Sequence, residues 1–180
     1  MAHPIVSLAA FQVCWFACVG GAARGLPWLG PLAVAVYAAG HLRTVPSGRA
    51  RTRQAGLLVL AGAAGYAADS VLVLSGVLTF PPQAVLGWPS TAWMVALWVL
   101  QAAVLSGILS WLRGRHAVAA IVGAIGGPLA YLAGERMGAA VLGPSRAAAL
   151  AAIGVEWAFA MPLLVWMECR ARLGPRAAGG

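Results

Sequence analysis

The chain has 180 residues, of which 62% are hydrophobic and 9% charged, where soluble domains carry about 25% charged residues. Twelve basic residues, all arginine, against four acids (Asp69, Glu135, Glu156 and Glu168) give a net charge of +8. So apolar a chain excludes a water-soluble globule, a disordered tail, a disulfide scaffold and a coiled coil, and what remains is an all-α, polytopic membrane helix bundle.

A bilayer crossing takes about 20 mostly apolar residues. Six segments fit or nearly fit: 5–22, 26–41, 55–78, 91–112, 117–133 and 147–167. The first lacks the basic stretch that opens a signal peptide and reads as a retained span. The second is short and carries Gly and Pro. Between the third and fourth, the turn-rich Thr79-Phe80-Pro81-Pro82-Gln83, followed by Trp88-Pro89-Ser90, separates two helices in a stretch whose only charge is Asp69. In the fifth, Gly126-Gly127-Pro128 is expected to kink or break the helix, leaving a broken helix or a re-entrant segment. Neither an internal repeat nor a soluble domain stands out, so residues 1–180 read as one integral membrane domain.

The arginines orient this bundle. With the N-terminus cytoplasmic, Arg43, Arg49, Arg51, Arg53, Arg113, Arg115, Arg170, Arg172 and Arg176 lie inside, against Arg24, Arg136 and Arg146 outside. The positive-inside rule favours that arrangement, and six spans return the C-terminus to the cytoplasm. The same rule accounts for the basic charge without nucleic acid. The densest run, Arg43 with Arg49, Arg51 and Arg53, reads first as a topology determinant and second as a site for anionic lipid head groups. Trp28, Trp88, Trp111 and Trp166 fall near segment ends, where an amphipathic ring belongs. Trp15, Trp98 and Trp157 fall at mid-depth.

Gln12, Asp69, Gln101 and Glu156 lie nine or ten residues from the outer end of their segments, roughly 14–15 Å deep. The face around Asp69 carries Gly62, Gly65, Tyr66 and Gly76, and that around Glu156 carries Ala149, Ala152 and Ala160. Small residues turn such faces into the bundle. Two carboxyls close together in low dielectric do not both ionise, so Asp69 and Glu156 are a candidate proton-handling, catalytic dyad, with Gln12 and Gln101 completing a polar layer. The plainer alternative is two carboxyls hydrogen-bonded to Gln12, Gln101, Tyr66 or an indole N–H, holding the bundle together. Trp15, Trp98, Trp157 and Tyr66 are candidates for lining an apolar substrate slot.

Cys14 and Cys18 sit one helical turn apart, Cys169 lies in the C-terminal tail, and His3, His41 and His116 are scattered. A metal site needs three or four convergent ligands, so no metal is expected. No nucleotide loop, zinc-protease motif or nucleophile elbow is present, and no cofactor is implied. Gly123-xxx-Gly127 and Gly134-xxx-Gly138 fit close packing within the bundle or between copies in a homo-oligomer.

Several pieces resemble one family: Gln12-Val13-Cys14-Trp15-Phe16-Ala17, Asp69, Trp93-Met94 with Leu97-Trp98, Gly127-Pro128-Leu129-Ala130-Tyr131 with Gly134, and Trp157 with Met161-Pro162. They look like an uncharacterised family of small six-helix bacterial inner-membrane proteins, a domain of unknown function, over almost the whole chain. Members are often encoded near cyclopropane-fatty-acid-synthase-like proteins and flavin-dependent oxidoreductases, so the resemblance implies a lipid-related setting in the bacterial inner membrane. It supplies no catalytic residues. Three functions follow as expectations: a membrane-embedded enzyme or accessory protein in lipid modification, a small proton-coupled transporter, or a structural scaffold. A pocket open sideways to lipid favours the first, one open to an aqueous face the second, and no pocket the third.

Overall fold

The computed structural model describes residues 4–173; His3 and Arg176 lie outside them. Six helices follow in order: α1 (Pro4–Ala23), α2 (Leu29–Thr44), α3 (Arg49–Leu74), α4 (Ala92–Leu105), α5 (His116–Arg136) and α6 (Arg146–Leu173). Four of them, α1, α3, α5 and α6, are long and apolar enough to cross a membrane. The other two are shorter, with 16 residues in α2 and 14 in α4.

The short α4 is the hub. Its sequence is apolar on every side, which suits a helix surrounded by protein. Trp93, Met94, Ala96, Trp98, Leu100 and residues 102–105 are all buried. It packs on α1, α2, α3 and α6. Around it the other five run in the order α1, α2, α3, α6, α5, with the most extensive contact between α5 and α6. The ring is incomplete, because α1 and α5 hardly touch.

Both ends of the bundle are tied. At one end, strand β1 (Leu78–Thr79) pairs antiparallel with β2 (Val141–Leu142), Leu78 opposite Leu142. There Trp93 Nε1 donates to Ala84 O at 2.9 Å, the buried Thr91 hydroxyl accepts from Leu86 N at 2.9 Å, and Glu135 bridges to Arg146. At the other end the fully buried Glu168 pairs with Arg172 and, at 3.3 Å, with Arg113. Both arginines donate to Ser106 O, Gln54 donates to Ser106 Oγ at 2.9 Å, and His41 Nε2 lies 3.1 Å from the Gln54 amide. That cluster joins α2, α3, α6 and the α4–α5 connection.

Four details depart from the sequence expectation. Helix α3 ends at Leu74 rather than 78, because the backbone turns at Gly76, φ +73°, a conformation glycine adopts without steric cost. Gly76 therefore does not share the Asp69 face. Helix α4 ends at Leu105 rather than 112, and Ser110–Leu112 form a separate short 3₁₀ turn. Arg49, Arg51 and Arg53 stand on the first turns of α3, not in a loop, and Arg43 on the last turn of α2. Finally, α5 runs unbroken through Pro128, so residues 117–133 are neither a re-entrant segment nor a broken helix. The reason lies on α6. A methyl at Gly154 would stand 3.4 Å from Pro128 Cγ and 3.2 Å from the Ala124 carbonyl. The bare glycine leaves room both for the ring and for the carbonyl that proline deprives of its helical partner.

Candidate functional site

The centre of the bundle is built on two indoles. Trp98 of α4 and Trp157 of α6 stack at 4.7 Å between centroids and 21° between planes. Each outer face rests on a glycine. A methyl at Gly65 of α3 would lie 2.0 Å from Trp98 Cγ, and one at Gly127 of α5 would lie 2.4 Å from Trp157 Cγ. The order Gly65, Trp98, Trp157, Gly127 thus clamps four helices through one stack. Gly123 continues it, against the Trp157 carbonyl and the Met161 side chain. Gly123-xxx-Gly127 is therefore spent on packing between α5 and α6.

Trp98 also holds Asp69. Its Nε1 donates to Asp69 Oδ2 at 2.9 Å, and the Tyr131 hydroxyl donates to Oδ1. Asp69 is completely buried, with both oxygens engaged. Counted from the observed helix ends, Asp69 and Tyr131 each lie five residues in and Trp98 six, roughly 8–9 Å. Gln101, Glu156 and Gln12 lie nine, ten and eleven residues in, roughly 14–17 Å. These counts start from helix ends of unequal height, since Trp157, eleven residues into α6, stacks on Trp98, six residues into α4; Asp69 and Glu156 stand within electrostatic range of each other.

Glu156 is the partnerless member. Both its carboxyl oxygens are buried without a hydrogen bond to any described group. No hydrogen bond joins it to Asp69, directly or through a glutamine, although Tyr131 lies within electrostatic range of both acids. The Trp157 Nε1–H sits near the Tyr131 hydroxyl without reaching hydrogen-bond geometry there or elsewhere. Each such orphaned polar group costs about 1–3 kcal/mol, a price a packed core seldom leaves uncompensated.

Where the ring fails to close there is a cleft of about 430 Å³ between α1, α4, α5 and α6. That is within the roughly 300–1,000 Å³ range of small-molecule sites. Phe11, Trp15, Val19, Trp93, Leu97 and Met161 make most of its apolar wall, and Trp98 and Trp157 form its floor. Its polar groups are Gln12, Gln101 and Tyr131. The rim includes Gln12 on α1 and Gly126 and Ala130 on α5, all exposed and all near the middle of their helices. The mouth therefore faces sideways.

Of the residues singled out in the sequence, Gln12, Gln101, Trp15, Trp98 and Trp157 meet in this cleft. Asp69 does not line it and reaches it only through Tyr131 and Trp98. Glu156 is not part of its wall. Tyr66 is elsewhere: it is 41% exposed, its hydroxyl donates to the Trp88 carbonyl at 3.0 Å, and it lines a shallow surface depression with Trp88. Three residues before Asp69, it stands about 60° round the helix from it, on the outward side. The arginine run is also apart. Arg43 and Arg49 are exposed, Arg51 donates to Val45 O at 3.0 Å, and Arg53 is half-buried. No group of three metal-ligating side chains occurs among the described residues.

Tyr131, Gln54 and Glu168 carry geometry that a search for acids at one depth passes over. Tyr131 has a signal of its own: it lies on the face of Gly123, Gly127 and Gly134, which are all buried. Trp28, Trp88, Trp111 and Trp166 are exposed, Trp28 just before α2, Trp88 and Trp111 in the connections before and after α4, and Trp166 seven residues from the end of α6, where Arg170 lies 5.0 Å over its ring.

No curated protein and no solved structure matches the chain. A family model matches residues 4–163. Nearly the whole bundle, with the indole stack, Asp69 and Tyr131, falls within that match, and the chain belongs to the family described as proteins of unknown function (DUF2878).

Proposed function

We propose that the protein takes an apolar, lipid-borne molecule into the cleft between α1 and α5 from the bilayer, as a membrane-embedded enzyme or accessory protein in lipid modification. The observation that carries this is the sideways mouth. Gln12, Gly126 and Ala130 are exposed at mid-helix, where an exposed side chain in a membrane-spanning bundle meets lipid tails rather than water. The wall behind them is aromatic and aliphatic, which suits an alkyl or isoprenoid chain. The lipid-related setting that the family resemblance implies points the same way. In this reading the membrane is the bacterial inner membrane with both termini cytoplasmic, and the arginines at that end contact anionic head groups.

Tyr131 is then the group that meets the bound molecule, and Asp69 is its positioning residue. A phenol that donates to a buried carboxylate presents its oxygen lone pairs to the cleft, and the carboxylate is placed to take its proton. The test is lipid retention. Purified protein in nanodiscs should carry bound lipid detectable by native mass spectrometry. Ala130→Trp fills the mouth and should abolish that retention, whereas the same change at the exposed Ala63 of α3 should not. Undiminished retention in folded Ala130→Trp protein would remove the proposal.

A further inference from the structure

The cleft's polar groups narrow the class of its occupant, an inference that rests on the lateral-cleft reading above. Its wall contains no Arg, Asp, Glu or His. All eleven described arginines lie at the bundle ends, in loops or in terminal helical turns. Asp69 is shut off behind Trp98 and Tyr131, with both oxygens already accepting hydrogen bonds. A phosphate or carboxylate entering the cleft would lose its water and gain no counter-charge. Burial of an unpaired ion in so apolar a place is strongly unfavourable.

The cleft is nonetheless not purely apolar. Gln12, at the middle of α1, and Gln101, four residues from the end of α4, both line it. Gln12 makes no hydrogen bond among the described residues, and the Gln101 amide nitrogen meets only the Met161 sulfur, at 3.3 Å. Thioether sulfur is a weak acceptor, and a carboxamide carries two donors and an acceptor. Two under-used carboxamides in a cleft that opens to lipid are expensive unless something brings them a partner. A hydrocarbon tail brings none. A hydroxyl or carbonyl oxygen brings one, without charge.

We infer that the occupant is an uncharged long-chain lipid whose hydroxyl or carbonyl oxygen is held by Gln12 and Gln101 while its chain lies along Phe11, Trp15, Leu97 and Met161. The oxygen enters at the mid-membrane rim rather than at the head-group level, which separates this class from phospholipids, whose charged heads stay at the interface. Gln12 is on the rim and Gln101 deeper, so the first would meet the oxygen on entry and the second on seating.

The experiment uses the full chain in phosphatidylcholine nanodiscs with hexadecanol carrying a mid-chain diazirine. Photolysis should mark peptides of α1 and α4 that line the cleft. Unlabelled hexadecanol should compete at a mole fraction about tenfold lower than hexadecane or hexadecyl phosphate, the discrimination that one retained hydrogen bond supplies. Gln12→Leu, a change at an exposed position that leaves the core untouched, should bring hexadecanol down to the level of hexadecane; Gln101→Leu should do the same. Equal competition by hexadecyl phosphate would overturn the exclusion of charge. Equal competition by hexadecane would overturn oxygen recognition while leaving a lipid cleft in place. Absence of cleft labelling, with no competitor effective, would remove the cleft reading and this inference together.

Discussion

The Tyr131 hydroxyl donates to Asp69, a carboxylate that never reaches the cleft itself. The phenol is therefore the cleft-facing half of a pair whose acidic half is fixed from behind by the Trp98 indole. Two donors converge on one fully buried carboxylate, and this decides how substitutions behave. Asn at position 69 keeps an oxygen for the indole N–H and turns its NH2 toward the phenol oxygen, which can accept, so it should cost no more than about 1 kcal/mol. Ala strands both the phenol and the indole, at about 1–3 kcal/mol for each. Thermal unfolding in one detergent should rank wild type close to Asp69→Asn and Asp69→Ala well below. If lipid chemistry depends on proton transfer to Asp69, the Asn variant should also be folded, lipid-retaining and inactive. Equal stability of the Ala and Asn variants would show that the carboxylate is not holding its two donors.

The indole stack makes an equally sharp distinction between neighbouring glycines. Gly126 and Gly127 are adjacent on α5, yet a methyl at Gly126 meets nothing within 4 Å while one at Gly127 would sit 2.4 Å from Trp157. Gly126→Ala should be neutral or stabilising by about 0.4–1 kcal/mol through the unfolded chain. Gly127→Ala and Gly65→Ala must push an indole out of the stack and should cost about 1–3 kcal/mol or more. Denaturation in mild detergent, with near-ultraviolet circular dichroism reporting the coupled indoles, measures both effects. Similar behaviour of Gly126→Ala and Gly127→Ala would mean that the stack is not a rigid clamp.

Much of this architecture is legible in the amino-acid sequence. Apolar segments, arginine placement and end-lying tryptophans follow from the cost of polar groups in lipid, which acts on each segment separately. The inward faces of Asp69 and Glu156 follow from their small neighbours. The pairing of Asp69 with Tyr131 and Trp98 is harder to see, because it depends on where three helices end. Helix α3 stops at a glycine turn four residues before its apolar stretch does, and that places Asp69 five residues from the helix end. Pro128 misleads for a similar reason: its consequence is decided by Gly154, 26 residues away on another helix. Tyr66 belongs by spacing to the Asp69 face, but the Trp88 carbonyl draws it to the surface.

The Glu168 cluster offers a test of the opposite bundle end. The carboxylate is buried, while Arg113 and Arg172 are 38% and 46% exposed in their side chains. Either arginine alone still neutralises the acid, so Arg113→Ala and Arg172→Ala should each cost about 1 kcal/mol or less. Removing both leaves a buried charge without a partner and should cost about 3–5 kcal/mol. The double variant should thus fall well below the sum of the singles in a detergent unfolding cycle. Strict additivity would mean that the two ion pairs do not back each other up.

Anionic lipid should be held at the same end. Arg43 and Arg49 are exposed and Arg53 is half-buried, whereas Arg51 is spent on the Val45 carbonyl. Each basic side chain near an anionic surface contributes about 1 kcal/mol. Replacing Arg43, Arg49 and Arg53 with Gln should markedly lower the phosphatidylglycerol that co-purifies in mild detergent, and should leave folding intact. Arg51→Gln should affect the α2–α3 turn more than the lipid. Unchanged phosphatidylglycerol in the triple variant would leave these arginines as topology determinants alone.

The sides of the membrane provide the last prediction. The β1–β2 pairing puts residues 75–91 and 137–145 at one end, and the Glu168 cluster gathers the α2–α3 turn, the α4–α5 connection and the end of α6 at the other. Gln83 is therefore on the opposite face from Arg49 and Arg172, whichever way the protein is inserted. The arginine excess selects the orientation, since basic residues near helix ends are retained on the cytoplasmic side. With Cys14, Cys18 and Cys169 replaced, a single cysteine at position 83 should react with an impermeant maleimide in intact cells. Cysteines at positions 49 and 172 should react only after permeabilisation. Labelling at 49 and 172 but not at 83 would invert the orientation and keep the fold. Labelling of 49 and 172 from different sides would break the six-helix arrangement, because the Glu168 cluster requires the start of α3 and the end of α6 to share one face of the membrane.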